Sequence, residues 1–501
     1  MSFISAGFFM AMALTACLYY LIPKKYQWEL LLFVSFGFYA TYGIRYMGYI
    51  LFTIITSYCI TRLMAAQKEK LMRRRWLIFG LVSNFGILVF LKYVNFTILN
   101  LTSLFSVFHQ AFPLGKLSIV MPLGISFYTF QTMSYVIDVY QKKYEPETNI
   151  FRLALFTAYL PQLLQGPIGR YDRLAPQLFE PHDFNLKNIE YGAQRIAWGL
   201  AKKLILADRA YVFSKAVFAD LNTYSGMYVI VALLTFSIYE YCDFSGGIDI
   251  TRGVARLFGI DMAENFRRPI FATSLTDYWR RWHITLGAWM RDYVFYPISL
   301  SRGFGKLSRW ARTHIGGTAG KIFATSLATF IVYFIIGIWH GANFRYIAFG
   351  LWNGVLITAS LLLEKTFLRW KAALHVNDKS AGWRVFMTLR TALLVFIGRY
   401  FTRAPRLRSV FTLLKTTVLH PQPGQLFDGT LLSLGLAKTD FLVIALGLAV
   451  LLTLECLQER GVQIRAALEK RPGFVQWLAV TALLLAVLLL GVFRAGYIPS
   501  G

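Results

Sequence analysis

Two histidines lie among residues that are mostly apolar or aromatic. His340 directly follows Ile322–Trp339 (IFATSLATFIVYFIIGIW), a run that contains no charged residue. Ionisable side chains at membrane depth are costly and are usually functional. An imidazole there can act as a general base or a nucleophile, or it can simply cap the helix by bonding a carbonyl group. Its position alone leaves both interpretations open.

The neighbours of His340 favour chemistry. Trp339 offers a flat wall for a substrate, and Gly341 lets a backbone or a substrate approach closely. Asn343 is a candidate hydrogen-bond donor to an oxyanion. We therefore predict that His340 is catalytic and that these three neighbours contact substrate.

His283 is the second candidate, in the segment WRRWHITL. Trp282 and Thr285 flank it and are candidate substrate contacts, so a histidine pair could supply a base and a group that orients it. Zinc peptidases place two histidines on one helix with a glutamate between them, and His283 and His340 lack this spacing. We predict no metal site and no permanently bound cofactor.

Charged side chains end the apolar run that begins at Met227. The carboxylates are Glu240, Asp243 and Asp249, and the candidate partners are Arg252, Arg256 and the pair Arg267–Arg268. A structural ion-pair network is at least as good an explanation as catalysis. We therefore assign Asp243, Asp249 and Arg280 a supporting role. Gly246–Gly247 predicts either a break or close packing.

The composition requires a membrane. Of 501 residues, 56% are hydrophobic and 15% are charged, which is more apolar surface than a soluble core would bury. Long apolar runs cover Phe8–Ile22, Ile50–Ile60, Trp76–Leu91, Ile322–Trp339, Ile347–Leu363, Phe441–Leu454 and Leu478–Val492. Shorter runs cover Met121–Tyr140, Leu153–Leu164, Met227–Tyr241 and Ala392–Ile397. We predict an all-α polytopic membrane protein with about ten transmembrane helices, plus re-entrant and interfacial helices, in a single domain (1–501).

Two polar stretches interrupt this pattern. Residues 145–208 are rich in proline and cannot form one continuous span, whereas residues 248–317 mix charge with aromatic rings. Within the second stretch we predict one amphipathic helix over Thr276–Arg291, started by Ser274 or Thr276. Gln131 and Gln165 lie in segments that combine proline, glycine and aromatics at membrane depth, and they are candidates to line a passage.

The basic residues indicate orientation. Lys24–Lys25 and Lys68–Arg75 fall on one side of the predicted spans, which puts the N-terminus outside under the positive-inside rule. The first apolar run has no basic residue before it, so it is expected to stay as an anchor. The net charge of +27 is best explained by anionic membrane lipids, and no nucleic-acid partner is predicted.

Five segments, in order, resemble the membrane-bound O-acyltransferase family and its bacterial alginate O-acetyltransferase branch. They are PLGISFYTFQTMSYVIDVY, YLPQLLQGPIGRYDRLAPQL, YCDFSGGIDITRGVARLFGI, NFRRPIFATSLTDYWRRWHITLGAWMRDY and GIWHGANFRYIAFGLWNG. The motif-bearing core covers about residues 115–360, and further transmembrane helices follow at about 380–495. The branch usually has Tyr-Ser-Asp after Asp-Phe-Ser-Gly, whereas this chain reads Gly247-Ile248-Asp249.

The resemblance implies a ring of helices around a central funnel. It also implies that His340 is the main catalytic histidine and His283 the second active-site position. The implied donor is acetyl-CoA or another cytoplasmic acyl thioester, and the implied final acceptor is an exported, alginate-like cell-surface polysaccharide. An exported acetyltransferase of the SGNH type is the implied partner, and the bacterial cytoplasmic membrane is the implied location.

Two other functions remain open from the sequence. One is D-alanyl transfer from a carrier protein to teichoic acid, as in a sister branch. The other is a non-catalytic transporter or export channel, because broken helices and intramembrane charge would serve either purpose.

Overall fold

A computed structural model describes residues 2–493, and regular structure in this range is helical. The helices are α1 (Ala6–Leu21), α2 (Gln27–Ala40), α3 (Met47–Ala66), α4 (Lys70–Val107), α5 (Ile125–Tyr140), α6 (Ile150–Ala158), α7 (Leu160–Gln165), α8 (Tyr171–Phe179), α9 (Leu186–Leu200), α10 (Asp208–Ala219), α11 (Met227–Leu257), α12 (Leu275–Arg281), α13 (Ile284–Met290), α14 (Tyr296–Ser299), α15 (Arg302–Ile315), α16 (Gly317–His340), α17 (Phe344–Leu362), α18 (Glu364–Ala373), α19 (Ala381–Arg403), α20 (Leu407–Leu419), α21 (Lys438–Glu459), α22 (Ile464–Glu469) and α23 (Gly473–Leu490).

Eight of these helices are long and apolar enough to cross a membrane. They are α3 with the turn before it, α4, α11, α16, α17, α19, α21 and α23. Helix α1 is apolar but shorter, with 16 residues. The all-α, multi-pass prediction is confirmed, and eight spans plus one shorter apolar helix stand against the predicted ten or so. The last two residues of the predicted C-terminal helical region, 494–495, lie outside the described residues.

The described chain packs into two compact units. Unit 1 contains residues 2–199 and 247–263, and unit 2 contains residues 200–246 and 264–493. Helix α11 therefore contributes residues to both. That the chain forms one membrane domain stays a prediction.

In unit 1 the proline-rich stretch forms short helices, as expected. Pro161 lies in the first turn of α7, where its missing N–H is harmless. Gly247 lies inside α11, which continues without a break, and a β-carbon there would overlap the side-chain amide of Gln165. Close packing, rather than a helix break, is thus the reason for this glycine.

In unit 2 the predicted helix over Thr276–Arg291 is wrong as a continuous element. Helix α12 begins after Ser274, whose Oγ accepts the Asp277 N–H at 3.1 Å, as predicted. It ends at Arg281 because Trp282 is extended and forms an antiparallel bridge with Phe266. The chain restarts as α13 only after His283.

The C-terminal end of α16 is held in place by α17. A β-carbon on Gly350 of α17 would overlap the Tyr333 carbonyl oxygen and the Gly337 Cα of α16. Small residues at such crossings let helix backbones approach closely in membranes. This contact fixes the helix that ends in His340 against the helix that follows it.

We expect Gly350→Leu to separate α16 from α17. Overpacking a close contact costs about 1–3 kcal/mol, and more where backbone must move. Thermal unfolding of the purified protein in detergent should shift to lower temperature by several degrees. Gly382→Leu is the control, because nothing lies within 4 Å of a β-carbon on Gly382 in α19. Equal unfolding temperatures for both variants would contradict this packing.

Candidate active site

The two predicted histidines share one aromatic neighbour. The ring centre of Trp339 lies 6.0 Å from that of His283 and 5.0 Å from that of His340. His340 is the last residue of α16, and His283 immediately precedes α13. The fold therefore brings together two residues that are 57 positions apart in the sequence.

His283 is held in an unusual backbone conformation. Its φ of 48° and ψ of 51° are left-handed, a region that costs a non-glycine residue free energy and that often marks functional sites. Asn265 anchors this turn, since its backbone carbonyl accepts the Ile284 N–H at 3.0 Å. Its side-chain oxygen also accepts the Thr285 N–H at 3.0 Å and the Thr285 hydroxyl at 2.9 Å.

The same Asn265 oxygen determines the proton position on His283. His283 Nδ1 lies 3.2 Å from Asn265 Oδ1. A backbone N–H can only donate, so the contact with Thr285 identifies this Asn265 atom as the oxygen. Nδ1 must then carry the proton, and Nε2 is the unprotonated nitrogen of the neutral ring.

His283 is neutral at physiological pH. The side chain is buried, with 4% of the residue exposed, and Phe244 contacts its ring at 4.9 Å. Burial, together with a smaller contribution from the positive charge of His340, lowers the pKa of His283 from 6.5 to about 3. The ring therefore offers a fixed dipole rather than a charge.

His340 lies in an aromatic setting. Tyr346 stacks on its ring at 6.2 Å, and Phe349 contacts it edge-on at 5.6 Å. A β-carbon on Gly341 would overlap the Tyr346 ring, so the glycine is what allows this stacking. The close approach predicted for Gly341 is made by Tyr346.

The side chain of Asn343 caps a helix. Its side-chain oxygen accepts the Arg345 N–H at 3.1 Å and so caps the start of α17. N-caps of this kind satisfy a backbone donor that the helix itself leaves unbonded. Asn343 is also absent from the residues that line the cavity described next, and the oxyanion role predicted for it stays a prediction.

His340 opens onto a cavity of about 170 Å³ in unit 2. Besides His340, the lining consists mainly of aromatic rings with four polar or charged side chains. It comprises Phe236, Glu240, Tyr278, Trp279, Trp282, His340, Tyr346, Phe349, Trp352, Asn353, Leu394, Val395, Gly398, Arg399 and Thr402. Of the predicted contacts, Trp282 lines this cavity, whereas Thr285 and Trp339 are not among its lining residues. Gln131 and Gln165 belong to unit 1, and their place along a passage stays a prediction.

The predicted ion pairs exist, but with different partners. Asp243 pairs with Lys203, Asp249 with Arg195 at 2.9 Å, and Glu240 with Arg399. The arginines proposed as partners pair with other carboxylates: Arg252 with Asp261, Arg267 with Glu264 and Arg268 with Glu459. The sequence did not indicate these partners, because all three come from other helices, far from α11 along the chain.

Arg280 is exposed, whereas the neighbouring Arg281 makes the supporting contacts. Arg281 bonds Asp277 at 3.0 Å and grips both carboxylate oxygens of Glu459 at 3.0–3.1 Å. This bidentate pair ties α12, just before His283, to the end of α21. The supporting contacts found before His283 are thus those of Arg281, and the supporting role predicted for Arg280 stays a prediction.

Sequence reasoning missed most of the cavity lining, including Tyr346 and Arg399, and it also missed Asn265 and Phe244 beside His283. Arg399 carried a usable signal, because it is a charge in a helix that is apolar enough to span a membrane, although that helix also contains Arg384, Arg390 and Arg403. Within residues 2–493, no three His, Cys, Asp or Glu side chains are grouped as a metal ion would require.

Comparison with known proteins gives the family. The model of the membrane-bound O-acyltransferase family (MBOAT) matches residues 146–390. The chain is 34% identical over 395 residues to the probable alginate O-acetylase AlgI of Pseudomonas aeruginosa, covering 78% of this chain and 69% of that protein. It is 27% identical to the peptidoglycan O-acetyltransferase of Helicobacter pylori, covering 79% and 74%.

A more distant relative carries out a different transfer. The teichoic acid D-alanyltransferase of Bacillus subtilis is 26% identical over 254 residues, covering 50% of this chain and 61% of that protein. All three relatives are acyl-transfer proteins by name, and the matched region contains both histidines, the cavity-lining residues up to 390 and Asn265. The chain therefore belongs to the membrane-bound O-acyltransferase family and is an O-acyltransferase of the multi-pass membrane type.

Proposed function

We propose that this O-acyltransferase moves an acetyl group from a cytoplasmic thioester, acetyl-CoA or a carrier-borne equivalent, to a hydroxyl acceptor. The final acceptor is an exported polysaccharide of alginate-like chemistry. One observation carries the proposal: in a member of an acyltransferase family, His340 opens onto a small aromatic cavity and is backed by a second, neutral histidine.

His340 is the residue that moves the proton. Its imidazole takes the proton of the acceptor hydroxyl while the hydroxyl oxygen attacks the thioester carbonyl carbon, and it then protonates the leaving thiolate. A two-step transfer through an acyl-histidine uses the same side chain as a nucleophile. Both routes need an unprotonated imidazole.

His283 acts as a positioning residue. It contacts Trp339 rather than the cavity, and Asn265 fixes both its ring and its tautomer. Because His283 stays neutral, it places no positive charge beside His340 that would compete for the proton. It holds the Trp339 ring against His340.

The cavity favours an acetyl over a D-alanyl group. A D-alanyl group carries an ammonium ion, which needs an uncompensated carboxylate in apolar surroundings. Among the described residues that line the cavity, Glu240 is the one carboxylate, and it pairs with Arg399. The greater similarity to acetyl-transferring relatives supports the same choice.

The proposal also includes the membrane, the orientation and the partner of this protein. The chain resides in the bacterial cytoplasmic membrane with its N-terminus outside, and its basic connections contact anionic lipids. An exported acetyltransferase of the SGNH type receives the acetyl group and completes its transfer to the polysaccharide. No cofactor is held permanently, since the thioester enters and leaves as substrate.

His340→Ala should abolish transfer. Loss of a general base removes about 10²–10⁴-fold in rate. The measurement is mass spectrometry of exported polymer from cells that express each variant, alongside transfer of labelled acetyl from acetyl-CoA in membrane vesicles. His314→Ala, at an exposed histidine of α15, is the matched control and should retain full transfer. Normal acetylation by His340→Ala would refute the assignment.

The low pKa of His283 predicts an acid-sensitive fold. Below about pH 6.5 the unfolded chain binds a proton at this residue, whereas the folded protein does not until pH approaches 3. Stability is therefore complete above pH 6.5 and falls as the pH is lowered. His283→Asn, which suits the left-handed backbone, should show a shallower fall in unfolding temperature between pH 7.5 and pH 5.

His314→Ala again serves as the control, because removing an exposed histidine should leave the pH dependence of the wild type. Parallel unfolding curves for wild type and His283→Asn would show that His283 does not titrate as inferred.

A further inference from the structure

An ion pair in the cavity wall has no part in the steps described above. Glu240 of α11 and Arg399 of α19 both line the His340 cavity and pair with each other. Both helices are long and apolar enough to span the membrane, where a charged side chain is costly and usually functional. Arg399 is 6% exposed, so nine-tenths of its surface is buried.

Arg399 is held rigidly on several sides. One terminal nitrogen pairs with Glu240, and the other donates to the Tyr278 hydroxyl at 3.2 Å. The guanidinium carbon also lies 5.4 Å from the ring centre of Trp282. Glu240 and the two rings thus fix the cation at the wall without removing it from the cavity lining.

The guanidinium retains unused hydrogen-bonding capacity. It has five N–H donors, and the contacts with Glu240 and with the Tyr278 hydroxyl involve its two terminal nitrogens, each of which carries two N–H groups. A donor left unsatisfied in a buried site is unfavourable, so the remaining N–H groups call for a partner. A ligand oxygen in the cavity would supply one.

The size of the cavity limits what that ligand is. Its volume of about 170 Å³ is well below the roughly 300–1,000 Å³ of pockets for drug-sized ligands. Only the reacting end of a substrate fits, so the group that meets His340 also meets Arg399. During acyl transfer, negative charge develops on the carbonyl oxygen of that group.

We propose that Arg399 is a catalytic residue that binds the acyl carbonyl oxygen and stabilises the oxyanion, with Glu240 as its positioning partner. This inference rests on the proposed function. As the acceptor oxygen bonds to the carbonyl carbon, the carbonyl π electrons move onto oxygen, and that oxyanion accepts hydrogen bonds from Arg399. When the C=O bond re-forms, the C–S bond breaks, and the thiolate takes the proton from His340.

The test compares Arg399→Ala and Arg399→Lys in membrane vesicles supplied with labelled acetyl-CoA. Arg399→Ala should lower kcat by about 10²–10³-fold, the usual effect of losing one oxyanion donor, with little change in KM for acetyl-CoA. Arg399→Lys keeps the charge and should retain part of the activity. Added guanidinium ion should restore transfer to Arg399→Ala, which a purely structural role would not permit.

Arg403→Ala is the matched control. Arg403 lies one turn further along α19, stacks on Phe218 at 4.6 Å and is absent from the cavity lining. Its kcat should stay close to that of wild type and should not respond to guanidinium.

Three outcomes would overturn the assignment of Arg399. They are wild-type kcat in Arg399→Ala, a defect confined to KM, and a folded variant that guanidinium fails to restore and lysine fails to replace. Failure of the proposed function looks different, because wild type would then transfer no acetyl group or His340→Ala would remain active.

Discussion

A charged side chain in apolar surroundings needs a partner that neutralises it or bonds to it. This constraint links the helices of unit 2 to one another. Lys203, at 0% exposure, meets Asp243 on α11, and the adjacent Lys202 donates to Ser245 of the same helix at 2.9 Å. Two consecutive lysines can both reach α11 because residues 201–207 form a π-helix with a wider turn. Between their partners lies Phe244, whose ring rests on His283.

The same constraint holds the other side of the site. Glu459, at the end of α21, accepts hydrogen bonds from Arg281, two residues before His283, and from Arg268, which precedes α12. Leaving one member of such a pair without its partner costs about 3–5 kcal/mol, which is comparable to much of a domain's stability. The ion pairs thus hold α11, α12 and α21 in position, and the positions of these helices determine where the catalytic groups lie.

The proposed chemistry depends on differences between side chains of the same type. Two imidazoles share Trp339, but Asn265 and burial keep His283 neutral in one tautomer, whereas His340 faces the cavity. Two amides also differ in role, since Asn343 caps a helix and Asn265 orients a histidine. Neither difference lies in residue type; each follows from what the neighbouring helices place beside the group.

The sequence by itself determined the solvent and the chemistry. An uncharged run of 18 residues predicts a spanning helix, because local hydropathy needs no tertiary information. The prediction that the histidine after this run is functional needed its neighbours and the family motifs as well. Ser274 as the start of α12 followed in the same way, since capping involves only neighbouring residues. The motifs around His283 and His340 indicated the family because they too consist of neighbouring residues.

Tertiary structure alone decided which residues meet. The sequence offered nearby arginines for Asp243, Asp249 and Glu240, whereas the partners come from other helices. The break at His283 was also hidden, because it arises from the Phe266 bridge and from Asn265 rather than from local propensity. The position of Arg399 in the cavity wall was hidden for the same physical reason: which cavity or backbone group a side chain reaches is fixed by packing between distant segments.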